Sequence, residues 1–158
     1  MQDDFLEGMR RLAAAVNILT VAHGDDRGGL TASAVTSLTA EPPMLLACVN
    51  RTAGSHALIV EAGRFAVNVL PASDKGVAEC FAGMTDLQGA DRFIVGDWRD
   101  GDLGLPILGT ALASFECVIE SLVSRSTHDI IIGEVRAIHL GEKAEPLLYM
   151  DRAFGTFA

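Results

Sequence analysis

The apolar residues at the start of the chain repeat at the spacing of an amphipathic helix, with charged residues between them. These positions are Phe5, Met9, Leu12 and Val16. The pattern predicts a helix over 3–15. From residue 16 the chain becomes rich in apolar and β-branched residues, which predicts a strand over 16–22. Residues 23–29 are rich in glycine and aspartate and predict a hairpin loop.

Further strands are predicted wherever short apolar or alternating runs lie between turn signals. These strands cover 30–39, 44–49, 65–70, 111–122, 128–140 and 146–150. Glu41-Pro42-Pro43 ends the strand over 30–39, because proline cannot donate to a β-ladder. A short helix over 56–62 is predicted from Ser55 as its N-cap and Gly63 as its end. A second helix begins at Ser73 or Asp74 and runs through Ala82.

Residues 83–109 contain six glycines and little periodicity. A loop of this length in a compact domain is usually functional or packed on a partner. Helices do not alternate with strands, so a doubly wound sheet is disfavoured, and the chain has no GxGxxG motif. The pattern predicts a single mainly β domain over 1–158, with a closed antiparallel β-barrel and a few flanking helices.

Composition narrows the class of protein. The net charge is −9 with no basic block, which argues against nucleic acid and anionic membranes as partners. No apolar run reaches the length of a membrane span. Cys48, Cys80 and Cys117 lie in apolar contexts without metal-ligand spacing, so we expect free thiols and a cytoplasmic protein. Hydrophobic residues make up 49% of this small chain, and we therefore expect a homodimer.

The strand over 30–39 is built from Thr, Ala and Ser where a strand normally carries bulky side chains. Small residues leave room for a ligand to lie against the backbone, and a flat hydrogen-bonding molecule such as a flavin ring fits this description. A Ser/Thr-rich edge strand that faces water explains the same residues.

Several motifs together resemble the flavin reductase family with the FMN-binding split-barrel fold, especially the reductase components of two-component flavin monooxygenases. The motifs, in chain order, are 13–20 (AAAVNILT), 31–35 (TASAV), Pro42-Pro43, 48–51 (CVNR), 65–70 (FAVNVL), 81–85 (FAGMT), Arg92-Phe93 with Trp98, and 127–129 (THD). The resemblance covers nearly the whole chain. It implies a Greek-key split barrel that binds FMN or FAD together with NADH or NADPH.

The resemblance also implies which residues contact the flavin. Residues implied to line the isoalloxazine ring are Thr31, Ala32, Ser33 and Ala34, with Ser37 and Leu38 nearby and Phe81 and Ala82 closing over it. Asn50, Arg51 and Ser55 are the phosphate candidates, since an amide, a cation and helix-terminal N–H groups favour an anion. Taken alone, Arg51 would be a solvated surface charge and Phe81 a core anchor.

On the nicotinamide side, the resemblance points to His128 as the catalytic candidate, which would stack on or hydrogen-bond to the nicotinamide of NADH. The tail over 146–154 resembles the family pattern in which Arg152 and the residue at Phe154 approach this nucleotide. Phe154 replaces a commoner polar group and retains only ring stacking. His128 as a satisfied histidine at a strand start is the alternative. His23, His56 and His139 are interpreted as structural or solvated, and no spacing predicts a metal site.

These features predict an NAD(P)H-dependent flavin reductase that supplies reduced flavin to a separate oxygenase. One alternative is a flavoprotein that reduces another small acceptor such as a cobalt corrinoid. A second is a flavin-binding protein without fast turnover. Retention of flavin through purification separates the alternatives, because a reductase of free flavin needs weak, reversible binding.

Overall fold

The computed structural model describes residues 1–157. Within them the α-helices are α1 (Gln2–Arg10), α2 (His56–Ala62) and α3 (Lys75–Phe81), with 3-10 turns at Ala72–Asp74 and Gly89–Ile94. The strands are β1 (Ala14–Ala15), β2 (Asn17–His23), β3 (Asp26–Ala32), β4 (Val35–Ala40), β5 (Pro43–Asn50), β6 (Arg64–Val69), β7 (Trp98–Asp100), β8 (Pro106–Leu108), β9 (Ala113–Arg125), β10 (His128–Leu140), β11 (Leu147–Met150) and β12 (Ala153–Thr156). None of these helices has both the length and the apolar content needed to cross a bilayer.

Seven strands form one antiparallel sheet in the order β3-β2-β6-β9-β10-β5-β4. The antiparallel pairing agrees with the prediction against a doubly wound sheet. The two edge strands, β3 and β4, are consecutive in the chain and joined only by Ser33 and Ala34. A link of this length reaches at most about 11 Å, so the sheet must roll until its edges meet at this point.

The predicted closure of the barrel is not confirmed. In residues 1–157 no ladder joins β3 to β4, so the hydrogen-bonded sheet has two free edges. The mainly β architecture is as predicted.

Two large hydrophobic cores and one small cluster stabilise the sheet. The first lies inside the curved sheet and includes Leu19, Phe65 and Ile131, with Ile59 of α2 packed against it. The second lies on the other side of β2, where α3, β8 and β11 cover the sheet. Residues of β6 are buried on both faces, because Phe65 and Val67 belong to the first core and Ala66 packs with the β8 residue Ile107.

Three predicted elements differ from the structure: the helix over 3–15, the hairpin loop over 23–29, of which 26–29 belongs to β3, and the strand over 30–39. The predicted helix over 3–15 ends at Arg10, because Ala14 and Ala15 pair with β11 in a separate sheet of β1, β11 and β12. The predicted strand over 30–39 is two strands, which pair with β2 and β5 at opposite edges. The last strand, β12, is absent from the prediction and pairs with β11.

The segment over 83–109 is packed on the protein itself. Leu87, Phe93, Val95 and Trp98 rest on the second core, and β7 and β8 form a short hairpin. The helix predictions over 56–62 and through Ala82 agree with α2 and α3 to within about a residue. Gly63 ends α2 in the left-handed conformation, with φ of 66°, as its sequence position indicates.

Candidate functional site

The site is built around Ser33 and Ala34, where the chain crosses from one sheet edge to the other. Both residues are exposed. Their carbonyl groups accept hydrogen bonds from Val35 N (3.0 Å) and Cys48 N (2.9 Å). Their own N–H groups donate to no group in the described part of the chain. Small side chains thus leave two backbone donors accessible to a ligand, which fits the hydrogen-bonding edge of a flavin ring.

A cavity of about 210 Å³ opens beside this crossing. Its lining residues are Val16, Thr31, Ser33, Ala82, Met84, Tyr149 and Phe154. The rings of Tyr149 and Phe154 meet edge to face at 5.3 Å, and Thr31 Oγ1 donates to Ala78 O at 2.7 Å. Four residues predicted for flavin and nicotinamide binding therefore share one pocket: Thr31, Ser33, Ala82 and Phe154. We call it the ring pocket.

A larger groove of about 770 Å³ continues from the ring pocket, sharing Ser33 and Tyr149 with it. The predicted residues Ala34 and Arg152 line this groove, opposite apolar side chains of α1 such as Leu6 and Met9. The two cavities together have the size range of small-molecule sites. The residues that are present thus offer an apolar, aromatic-walled space with backbone donors, as a flavin requires.

His128 and two phosphate candidates lie together at the end of β5. Asn50 is the cross-strand neighbour of His128, and Arg51 N donates to Thr127 O at 3.0 Å. The His128 ring is exposed, and its Nδ1 lies 2.8 Å from Thr127 Oγ1. Cys48 N donates a hydrogen bond to Ala34 O. About two residues of β5, or 7 Å, therefore separate Asn50 and His128 from the Ser33–Ala34 crossing.

The Asn50 side chain is used within its own turn, since its Oδ1 accepts from the backbone and side chain of Thr52. Ser55 lies at the other end of the same loop. The sequence predicted that Ser55 caps α2, and Ser55 does stand at the N-cap position. Its side chain makes no capping hydrogen bond, however, and donates instead from Oγ to Gly29 O at 3.1 Å. Ser55 therefore lines a different pocket, of about 350 Å³, together with Arg27, Gly28 and Arg92.

Four other predicted flavin contacts lie outside the ring pocket. Ala32 is buried in the first core, and Leu38 is exposed on β4. Ser37 lines a separate cavity of about 330 Å³ beside Leu45 and Phe115. Phe81 is 2% exposed.

The Phe81 ring does not line the ring pocket. It packs against Phe93 and Trp98 at centroid distances of 5.1 and 5.3 Å. The structure therefore makes this ring a core side chain, and of the predicted pair only Ala82 reaches the pocket.

Two histidines form short contacts with buried carboxylates. His56 Nε2 lies 2.6 Å from Asp129 Oδ2, and His139 Nε2 lies 2.8 Å from Glu116 Oε2. The Ser124 side chain opposite Asp129 lowers the pKa of that carboxyl, and His56 and then Arg51 act in the same direction against the effect of burial. The interpretation of His56 and His139 as structural fits these contacts.

Glu116 and His139 also lie near Asp102, with potential metal-ligand atoms within 4.8 Å of one another. The buried Glu116 carboxylate already accepts hydrogen bonds from the N–H groups of Asp102 and Leu103, each at 2.8 Å, as well as contacting His139. These contacts tie the loop after β7 to β9. These hydrogen bonds satisfy the buried Glu116 carboxylate, so its burial is explained without a bound metal.

Sequence reasoning missed Tyr149 and Met84 of the ring pocket, and Arg27 beside Ser55. Tyr149 and Met84 both stand inside motifs that carried the family resemblance, so the motifs contained the signal. Arg27 lies in a stretch that the sequence predicted to be a loop, and only its place on β3 puts it beside Ser55.

The rolled antiparallel sheet with an exposed small-residue crossing and an aromatic pocket defines a flavin-binding class of β protein. The family described as "Flavin reductase like domain" matches residues 9–158, and the chain belongs to this family. The chain is 39% identical to the FMN reductase (NADH) RutF of Stutzerimonas stutzeri, covering 98% of this chain and 87% of that protein.

Two further similarities support the assignment. The reductase component of 4-hydroxyphenylacetate 3-monooxygenase from Pseudomonas aeruginosa is 39% identical, over 97% of this chain and 90% of that protein. The solved structure of the NADH:FAD oxidoreductase from Streptomyces globisporus, in complex with NAD and FAD fragments, superposes with a TM-score of 0.90. It is 30% identical and covers 99% of this chain and 93% of that one.

Proposed function

We propose that this protein is an NADH-dependent flavin reductase that transfers a hydride from NADH to FMN or FAD. The observation that carries the proposal is the exposed Ser33–Ala34 crossing, with two backbone donors beside an aromatic-walled pocket, in a chain that belongs to the flavin reductase family. A relative named as an NADH-dependent FMN reductase matches nearly the whole chain, which supports the same activity and cofactors.

The flavin ring occupies the ring pocket and the adjoining groove in this proposal. When bound, the flavin supplies the redox chemistry, by accepting the hydride of the nicotinamide. The protein's part is to bind and orient the flavin. Ser33 and Ala34 would donate backbone hydrogen bonds to the polar edge of its ring, and the small residues Thr31 and Ala82 would form the walls around it. The loop with Asn50, Arg51 and Ser55 would hold the polar tail of the flavin.

His128, Arg152 and Phe154 are the residues that would hold the nicotinamide. The imidazole of His128 is exposed and free to stack on or hydrogen-bond to the nicotinamide, while Phe154 offers a ring face. Holding two flat rings against each other is the main catalytic contribution available to these residues. No acid or base is required for the hydride itself.

We further propose a homodimeric split barrel with Greek-key connections that works in the cytoplasm. The groove beside the ring pocket is walled by the exposed apolar residues Leu6 and Met9 of α1, and Phe5 on the same helix is also exposed, so a second copy would cover an apolar surface here. Cys48, Cys80 and Cys117 are free thiols, which suits a reducing compartment. A separate oxygenase would receive the reduced flavin, as the name of the Pseudomonas aeruginosa relative suggests.

The test is steady-state oxidation of NADH by the purified protein, with FMN, FAD, riboflavin or no added flavin. Turnover that rises with free flavin supports the reductase. Retained yellow colour with no response to free flavin contradicts it and indicates another acceptor, for which a cobalt corrinoid is the next substrate to try. Tight flavin binding with negligible NADH oxidation indicates a flavin-binding protein.

A further inference from the structure

The two ends of the rolled sheet differ. At one end α2 covers the first core, with Leu58 and Ile59 packed against it. The other end opens into the cavity of about 330 Å³ that Ser37 lines. Every residue that lines this cavity belongs to a strand, and the lining strands are β1, β2, β4, β5, β6, β9 and β10. We call it the end cavity.

The wall of the end cavity is apolar and carries no charge. Leu45 and Val67 reach it from the first core, and Phe115 contributes a half-buried aromatic ring. The lining contains no aspartate, glutamate, lysine, arginine or histidine. A charged ligand would lose its hydration here without gaining an ionic partner, so the cavity selects a neutral ligand.

One buried side chain brings a polar group to this apolar wall. Asn17 is 3% exposed and lines the end cavity. Its Nδ2 donates to Ala15 O at 3.3 Å and to Ala32 O at 3.2 Å, which fixes the orientation of the amide. Within residues 1–157 no group donates a hydrogen bond to its Oδ1.

The Asn17 oxygen has contact with open space. In the part of the chain that the structure describes, Asp129 Oδ1 is the one enclosed side-chain oxygen or nitrogen without a partner, so Asn17 Oδ1 is not sealed inside the core. The end cavity is the open space that Asn17 lines. Buried polar atoms are normally hydrogen-bonded, and an acceptor held in this way is matched by a ligand with an O–H or N–H group.

We propose that the end cavity binds a small neutral compound with one aromatic ring and one O–H or N–H group, which donates to Asn17 Oδ1. The volume lies at the lower end of the range of about 300–1,000 Å³ for small-molecule sites, which suits a single ring. Phe115 provides an aromatic neighbour for that ring. The inference rests on the lining residues and does not depend on the proposed function.

The end cavity is separate from the site proposed for the flavin. It shares no lining residue with the ring pocket. Thr36 of β4 lines both the end cavity and the groove that continues from the ring pocket, so β4 forms the wall between them. A ligand in the end cavity and a flavin can therefore be bound at the same time.

The test is isothermal titration calorimetry of the purified protein with phenol, anisole and toluene. Phenol has the O–H donor, anisole has an ether oxygen that would face the Asn17 oxygen, and toluene has only a methyl group. We expect phenol to bind at least about fivefold more tightly than either of the others, because each of them leaves Asn17 Oδ1 unpaired. Equal Kd values for the three compounds, or no saturable binding of phenol, would overturn the proposal.

A cavity-filling variant locates the site. Val69→Phe places a ring at the half-buried Val69 position of the cavity wall, and Val60→Phe makes the same change on the exposed face of α2, at the opposite end of the sheet. Val69→Phe should raise the Kd of phenol at least about tenfold, with Val60→Phe changing it less than about twofold. Unchanged phenol binding in Val69→Phe places the ligand elsewhere and contradicts the proposal.

Two further measurements cover the other outcomes. If Val69→Phe does not fold, the side-chain amide signals of Asn17 are followed by NMR in the unmodified protein, and they should shift on addition of phenol and stay unchanged with toluene; unchanged signals with both compounds count against the site. Displacement of phenol by FMN would place it in the ring pocket. Absence of phenol binding in a protein that sediments as a dimer, together with a monomeric Val69→Phe, would show that a second copy covers the cavity. Either of these last two results overturns the proposal.

Discussion

Substitution of Phe81 tests whether its ring belongs to the hydrophobic core or to the ligand-binding site. The family motif suggested that this ring closes over the flavin, whereas the structure buries it between Phe93 and Trp98. A Cβ on Gly29 would lie 2.8 Å from the ring, which shows that Phe81 fills the space directly above β3. We expect Phe81→Leu and Phe81→Ala to lower stability and to leave flavin affinity nearly unchanged in the folded protein.

The magnitude follows from the environment of the ring. Truncating a buried phenylalanine to alanine costs about 3–5 kcal/mol, from lost transfer energy and the cavity that remains. Leucine refills much of the volume but forfeits two aromatic contacts worth about 0.5–1.5 kcal/mol each, so Phe81→Leu should cost about 1–3 kcal/mol. For a domain of this size, Phe81→Ala should lower Tm by roughly 6–20 °C.

The assay is urea unfolding followed by far-UV circular dichroism and by fluorescence of Trp98, the single tryptophan in the chain and a direct neighbour of the ring. Flavin Kd is measured on the folded variants. The control is Phe154→Leu at the ring pocket, for which we expect the reverse: small stability loss and weaker flavin or NADH binding. If Phe81→Leu weakens flavin while stability is unchanged, the ring closes over the ligand and the burial argument is wrong.

Three further predictions concern chemistry at single side chains. His128→Ala should lower kcat/KM for NADH about tenfold or more with flavin Kd unchanged, and an equal loss of both would assign His128 to the fold or the flavin site. Because the Ser124 hydroxyl lowers the pKa of Asp129, the carboxylate stabilises the fold above its ordinary pKa of 3.8 and loses that contribution as pH falls through the lowered value. Asp129→Asn should therefore flatten the acid side of a Tm–pH curve, and an unaltered acid side would contradict this assignment. Burial raises the pKa of the Cys117 thiol from 9.0 to about 12, so its stabilising contribution is complete below pH 9 and is lost as pH rises towards 12. A thiol reagent at pH 8 should then modify the half-buried Cys48 well before Cys117, and the opposite order would refute the burial effect.

The sequence alone determined the strands and helices whose signals are local. The β9–β10 hairpin, α2 with its terminal Gly63, and the mainly β class all follow from periodicity and turn residues that operate over a few positions. The motifs likewise assigned Thr31, Ser33 and Ala82 to the flavin and Phe154 to the nicotinamide, and the structure brings these four residues together in one pocket.

Only the tertiary structure decided which strands the small-residue segment over 30–39 forms and what they pair with. Its spacing reads as one strand, but β3 finds its partner in β2 and β4 finds its partner in β5, so the chain must cross between them at Ser33 and Ala34. Ala32 pairs with Asn17 upstream and Val35 pairs with Ala47 downstream, so residues three positions apart join opposite edges of the sheet, and the segment's own pattern encodes neither partner. The exposed backbone donors of the site result from this break.

Tertiary packing also explains why the Phe81 ring lies in the core and why Ser55 and Arg27 share a pocket. The direction of the Phe81 ring depends on Phe93 and Trp98, which reach it only when 83–109 folds back on α3. Ser55 and Arg27 are 28 positions apart in the chain and share a pocket because α2 begins beside β3. Local physics determined which residues are small, charged or aromatic, whereas long-range packing determined which of them share a cavity.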